Sequence, residues 1–175
     1  TKDGPIGSAD TNGPNKVTVE SDGTVWFVEE ASGGRIRKVK NGQVLTITSM
    51  KNNYIDAPAK QASFRSGSGV AVLPTGELIV SSRVSHTVRM LTAHSEVITI
   101  AGGGKHGSAN SLGKQTHFNA PLGVAVDKAG TIYVADSKNN KIRTLKREDA
   151  ALKACDDKNP CTKDACNPAN GKCAS

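Results

Sequence analysis

Four cysteines, Cys155, Cys161, Cys166 and Cys173, fall within the last 21 residues of a chain of 175. The intervals between them are five, four and six residues, with no C-x-x-C knuckle, which sets zinc aside. Their even number, among the turn formers Asn159-Pro160, Asn167-Pro168 and Asn170-Gly171, describes a small module stapled by two disulfides, with all three pairings open. A module of this size buries too little surface to hold itself without staples, and such staples persist in oxidising compartments. The expected location is extracellular or at the cell surface. Asp157, Asn159 and Asp164 offer oxygen ligands to calcium in the same stretch. Calcium takes about six to eight oxygens, more than these supply, and Asp and Asn also cap turns through their own backbone. No cofactor is therefore expected, with calcium at these three residues as the alternative.

The histidines, His86, His94, His106 and His117, fall in turns and loops, and none meets another at H-x-H or H-x-x-x-H spacing. No catalytic residue is assigned on this basis, since a function must be argued from a site. Arg37, Arg89 and Arg143 recur once per segment on runs that alternate apolar and cationic residues. They read as solvated cations on an outer strand and as the candidate interaction residues. Single-stranded nucleic acid would require exposed aromatics for stacking, and Trp26 and Tyr133 lie in runs expected to be buried. Nucleic acid is thus not an expected partner. The net charge of +7 remains compatible with an acidic polysaccharide.

Elements of regular spacing must position these groups. Gly23, Gly76 and Gly130 stand 53 and 54 residues apart, and Val17, Val70 and Val124 keep the same two intervals. Fixed periods of this length mark repeat architectures. Each unit begins with an alternating run (Val17 and Val19; Val70 and Val72; Val124 and Val126), then turns on "SDG", "PTG" or "KAG". A second run is nearly all apolar, as in Ile132 to Ala135, and so is expected to be covered on both faces. The third run, "RIRKV", "TVRML" or "KIRTL", reads as more peripheral, and a fourth follows at 43–48 and 96–101. Four antiparallel strands of this kind make a propeller blade. Phe64 and Phe118 each precede a first-strand valine by six residues and read as core plugs. The expected domains are 1–147, with blades at about 1–50, 51–104 and 105–147, a linker at 148–154 and the Cys-rich module at 155–175.

These repeats resemble the NHL family of six-bladed β-propellers. Phe118, Pro121, Gly123 to Asp127, Gly130, Ile132 to Asp136 and Ile142 carry the resemblance. The first two units are looser, with Glu29 and Ser82 where the third has Asp136. The tail is similar to a short extracellular repeat, C-D-D-x-N-P-C-T-x-D-x-C, found in tandem in secreted and matrix-like proteins of slime moulds, algae and some bacteria. The resemblance implies an all-β fold: half of an NHL-like β-propeller, with three four-stranded antiparallel blades of which the last is incomplete, plus the disulfide-stapled tail. Three blades do not close a ring. The missing strand and blades are expected from an upstream part of the protein or from another chain, so the segment reads as a trimmed piece of something larger. No apolar run is long enough for a membrane-spanning helix. The expected function is non-enzymatic: a rigid protein–protein interaction platform in a larger surface, matrix or filament assembly, such as a ciliary or cell-surface hair. Its partners would be other protein chains, including copies of itself. The alternative is a ligand-sensing or metal-dependent propeller of the lyase or lactonase type, with RNA binding as a third reading.

Overall fold

The computed structural model describes residues 2–30, 34–49, 54–146, 165–166 and 173–174. The first repeat forms β1 (Gly4–Pro5), β2 (Pro14–Val19), β3 (Val25–Glu29), β4 (Arg35–Lys40) and β5 (Gln43–Thr46), in the sheet order β1-β5-β4-β3-β2. The second forms β6 (Ala57–Pro58), β7 (Gly67–Val72), β8 (Leu78–Ser82), β9 (Thr87–Leu91) and β10 (Glu96–Ala101), ordered β6-β10-β9-β8-β7. The third comprises β11 (Pro121–Val126), β12 (Ile132–Asp136) and β13 (Lys141–Leu145) among the described residues. All pairings between these strands are antiparallel. Each first hairpin closes because its glycine adopts positive φ, +83°, +94° and +83° at Gly23, Gly76 and Gly130. Their N–H groups donate to Glu20, Leu73 and Asp127 carbonyls at 2.8 to 3.0 Å.

The sheets stack in chain order, with two apolar layers between them. Val28 and Ile36 of the first sheet meet Phe64, Val70, Leu78, Val80, Leu91 and Val97 in one layer. Ile79, Val88 and Met90 of the second meet Phe118, Ile132 and Val134 in the other. Phe64 and Phe118 are fully buried, one in each layer, as plugs. The inner strands approach closely: a Cβ on Gly67 would lie 2.2 Å from Val28 Cγ1, and one on Gly69 would lie 2.4 Å from the Leu122 carbonyl oxygen. Glycine is what permits that approach.

Three expectations are corrected. The third runs are not peripheral: β4 and β9 lie inside their sheets, and every residue of β9 is buried. The outer edge goes instead to a short fifth strand, β1 or β6, in each of the first two sheets, where four strands were expected. Tyr133 is exposed and Trp26 half-buried, where both were expected to be covered. A run is sealed on both faces only when a sheet stands on either side of it, and this holds for the middle sheet alone.

β14 (Ala165–Cys166) and β15 (Cys173–Ala174) form a separate two-stranded pair whose register sets Cys166 opposite Cys173. Cys155 and Cys161, the candidate calcium ligands Asp157, Asn159 and Asp164, and the 148–154 linker lie outside the described residues.

Candidate functional site

The recurring arginines are the chemical centre of each unit, in a role opposite to the solvated one expected. Arg37 and Arg89 are fully buried, and the Arg143 side chain is 9% exposed. Each guanidinium reaches out of its sheet and grips the segment that wraps the outer edge. Arg89 Nη1 donates to the Ser63 carbonyl at 2.5 Å, and Nη2 donates to the Ile55 carbonyl at 2.6 Å and to Asp56 Oδ1 at 2.9 Å. Arg37 does the same with the carbonyls of Asp10 and Lys2 and with Asp3 Oδ1 at 2.9 Å. Arg143 takes the carbonyls of His117 and Ala109 and, at 2.7 Å, Asn110 Oδ1. The planar fork of arginine reaches three acceptors from two nitrogens at fixed separation, which the single ammonium of lysine does not match.

The acceptor residues Asp3, Asp56 and Asn110 repeat at 53 and 54 residues, like the hairpin glycines. Asp3 and Asp56 also accept from Thr46 Oγ1 at 2.6 Å and Thr99 Oγ1 at 2.7 Å on the fourth strands, β5 and β10. A carboxylate thus ties the wrapping segment, the third strand and the fourth strand together. Burial acts to raise the Asp56 carboxyl, and the hydrogen bonds from Thr99 and Lys114 with the charge of Arg89 outweigh it, leaving Asp56 below the ordinary value. Asp3 is lowered in the same way by Thr46 and Arg37 against its burial. Burial lowers Arg89, opposed by Asp56.

An aromatic ring backs each guanidinium. Arg89 Cζ lies 4.7 Å from the Phe64 ring centroid and Arg143 Cζ lies 4.9 Å from that of Phe118. In the first unit Thr11 stands at the corresponding loop position, and the ring comes from β3 instead, with Phe27 at 5.9 Å. Acids at the end of the second strand complete two of the clamps: Glu29 Oε1 accepts from Arg37 at 3.0 Å and Asp136 Oδ2 from Arg143 at 3.3 Å. Ser82, in that place in the second unit, donates instead to the Phe64 carbonyl. Sequence reasoning marked the arginines by their period but missed the clamp, although the equal spacing of Asp3, Asp56 and Asn110 carried its signal.

At the sheet end near Asp136, His86 and His106 approach edge to face with centroids 5.9 Å apart. His86 Nδ1 accepts from the Ala120 N–H at 3.1 Å. Burial, then the charge of His106, holds His86 below the ordinary histidine value. Among the described residues no three His, Cys, Asp or Glu side chains gather closely enough to hold a metal ion. A shallow cleft between the hairpin turns of the second and third sheets is lined by Thr75, Lys128, Thr131 and Lys146 and has no acid or histidine in its wall.

Stacked antiparallel sheets, each locked at its edge by an arginine, define an all-β chain of propeller type. The family described as NHL repeat matches residues 118–145, and the Dictyostelium (slime mold) repeat matches residues 154–175. The chain is 27% identical over 125 residues to NHL repeat-containing protein 2 of Gallus gallus, covering 71% of this chain and 16% of that one. It is 30% identical over 88 residues to SUPPRESSOR OF QUENCHING 1, chloroplastic, of Arabidopsis thaliana, covering 48% and 8%. Among solved structures it is similar to an auxiliary nutrient binding protein from Bacteroides thetaiotaomicron (TM-score 0.64, 18% identity, 74% of this chain and 36% of that one). It is also similar to a gluconolactonase from Xanthomonas campestris (TM-score 0.55, 15% identity, 84% and 48%). A virginiamycin B lyase from Staphylococcus aureus aligns with TM-score 0.54 and 16% identity, over 78% and 39%. The chain therefore spans less than a fifth of the curated relatives and less than half of these structures.

Proposed function

We propose that residues 1–147 are half of an NHL-like propeller and act as a rigid protein–protein interaction platform in a larger extracellular assembly, a surface, matrix or filament component. The observation that carries this reading is the construction of the wrapping segments. Buried charge at every clamp holds the wrapping segment to its sheet, which makes each sheet a rigid plate able to present its loops and outer edge to a partner. The slime mold repeat at 154–175 supports placing the assembly outside the cell, with its cysteines paired as a stapled connector in an oxidising setting. The register of β14 with β15 favours Cys166–Cys173 as one disulfide, which leaves Cys155–Cys161 as the other.

Non-reducing mass analysis of the native protein, together with low-resolution imaging, tests this reading. It expects two disulfides per chain and particles that contain further propeller blades or neighbouring chains. A discrete small particle with free thiols refutes it. The likeness to a gluconolactonase and a lyase favours a second reading, a propeller that binds a ligand or a metal and uses it in catalysis. Metal analysis of the purified protein and screening of lactone and cyclic ester substrates separate the two: turnover with a stoichiometric metal supports the second.

A further inference from the structure

Where the second sheet meets the third, one histidine holds a strained residue of its neighbour. Ala120, which is buried, adopts a left-handed φ of +52°, a region that disfavours any residue with a Cβ. Such a residue stays there only while its surroundings hold it. Two side chains do so: Asp136 Oδ1 accepts from the Asn119 N–H at 2.7 Å, and His86 Nδ1 accepts from the Ala120 N–H at 3.1 Å. Asp136 belongs to the third sheet itself, at the end of β12, whereas His86 lies in the loop between β8 and β9 of the second. Because Nδ1 accepts, the neutral ring carries its proton on Nε2. The backbone at His86 is closely held: its φ is +54°, and a Cβ on Gly102, just past β10, would lie 2.3 Å from the His86 carbonyl oxygen. A change at this contact therefore falls on the ring and on Ala120.

We propose that His86 is a pH-operated latch between the second and third sheets, closed when its ring is neutral and released when Nδ1 takes a proton. Protonation turns Nδ1 from an acceptor into a donor facing the Ala120 N–H. A buried donor then loses its partner, and the left-handed turn loses one of its two ties. Burial opposes the added charge, and so do His106 in the loop after β10, Lys138 in the turn after β12 and Arg65 in the loop before β7. Asp136 on β12 favours it, and the balance holds His86 below the ordinary histidine value of 6.5. The unfolded chain thus takes this proton more readily than the folded one. The latch contributes in full above about pH 6.5, and its contribution is lost as pH falls through the lowered folded value. Ser81 Oγ donates to the Leu122 carbonyl at 2.6 Å across the same junction and does not titrate, so acid frees the segment around Ala120 without parting the sheets. The inference concerns a junction inside the chain and is independent of the platform reading.

The test is nuclear magnetic resonance of the isotope-labelled full chain from about pH 8 to 5, the range in which histidine switches, with His86→Asn alongside. Asn140 stands at the matching repeat position with a φ of +52°, so asparagine suits that backbone, and its side-chain oxygen accepts without titrating. The other three histidines are present in both proteins, so the difference between the two isolates His86. The expected result at the alkaline end is a His86 ring protonated on Nε2. On acidification, the exchange protection of the Ala120 amide, referred to the intrinsic rate at each pH, should fall about tenfold, the effect of one hydrogen bond. That fall should share the midpoint of the His86 ring and disappear in His86→Asn. A neutral ring protonated on Nδ1, a His86 midpoint at or above the ordinary 6.5, or an Ala120 response that His86→Asn leaves unchanged overturns the latch. Should the variant not fold, the parent decides alone: a shared midpoint for ring and amide supports the latch, and separate midpoints overturn it.

Discussion

Replacing Arg89 with alanine isolates the clamp from the fold it serves. The substitution removes the guanidinium's bonds to the Ser63 and Ile55 carbonyl oxygens and the cation from the Phe64 ring, while the 31% exposed Asp56 side chain can turn to water. Each lost charge-assisted bond costs about 1–2 kcal/mol. The lost cation–ring contact adds about 1 kcal/mol. A total of about 4 kcal/mol lies within the range for breaking a buried charged pair. For a domain of this size that lowers Tm by roughly 8–16 °C. Arg89→Lys keeps the charge but not the fork, and is expected to lose about 2 kcal/mol, roughly half as much. Arg83→Ala is the control, because its ion pair with Glu30 is exposed on both sides and is worth about 0.5 kcal/mol or less. Urea unfolding followed by Trp26 fluorescence, with equal m-values, measures all three. If Arg89→Ala falls within about 1 kcal/mol of Arg83→Ala, buried arginine clamps do not hold the sheets together and the reasoning fails.

Phe64→Ala should cost about 3–5 kcal/mol, since the ring fills a layer between sheets and backs a guanidinium; the same urea titration reads it. Gly67→Ala should cost about 2 kcal/mol or more, because its Cβ would strike Val28 on the first sheet, and the paired V28A should recover part of the loss. Asp3 and Asp56 titrate below the ordinary carboxylate value when folded, so they stabilise above about pH 4 and that contribution disappears as pH falls through their lowered values. Stability measured from pH 7 to 2 should hold and then drop, and Asp56→Asn, the residue type found naturally at Asn110, should reduce the drop. Proteolysis without reduction should yield a peptide linking Cys166 to Cys173; a Cys161–Cys166 link would overturn the pairing drawn from the strand register.

The repeat period was legible in the residues, and with it the hairpins, the strand runs and the phenylalanine plugs. Turn glycines at positive φ and apolar alternation are local requirements, written wherever the backbone needs them. Tertiary packing decided the rest. The third runs were read as peripheral because a cation alternates with each apolar residue, yet β9 is wholly buried, because the wrapping segment brings carbonyls and a carboxylate to the guanidinium from more than 25 residues away. No local pattern announces an acceptor so distant in the chain. Val17, Val70 and Val124 look alike in sequence, and so do Ile36, Val88 and Ile142. Whether each is core or surface depends on the presence of a neighbouring sheet, because burial is a property of the stack, whereas the identity of a residue belongs to the chain.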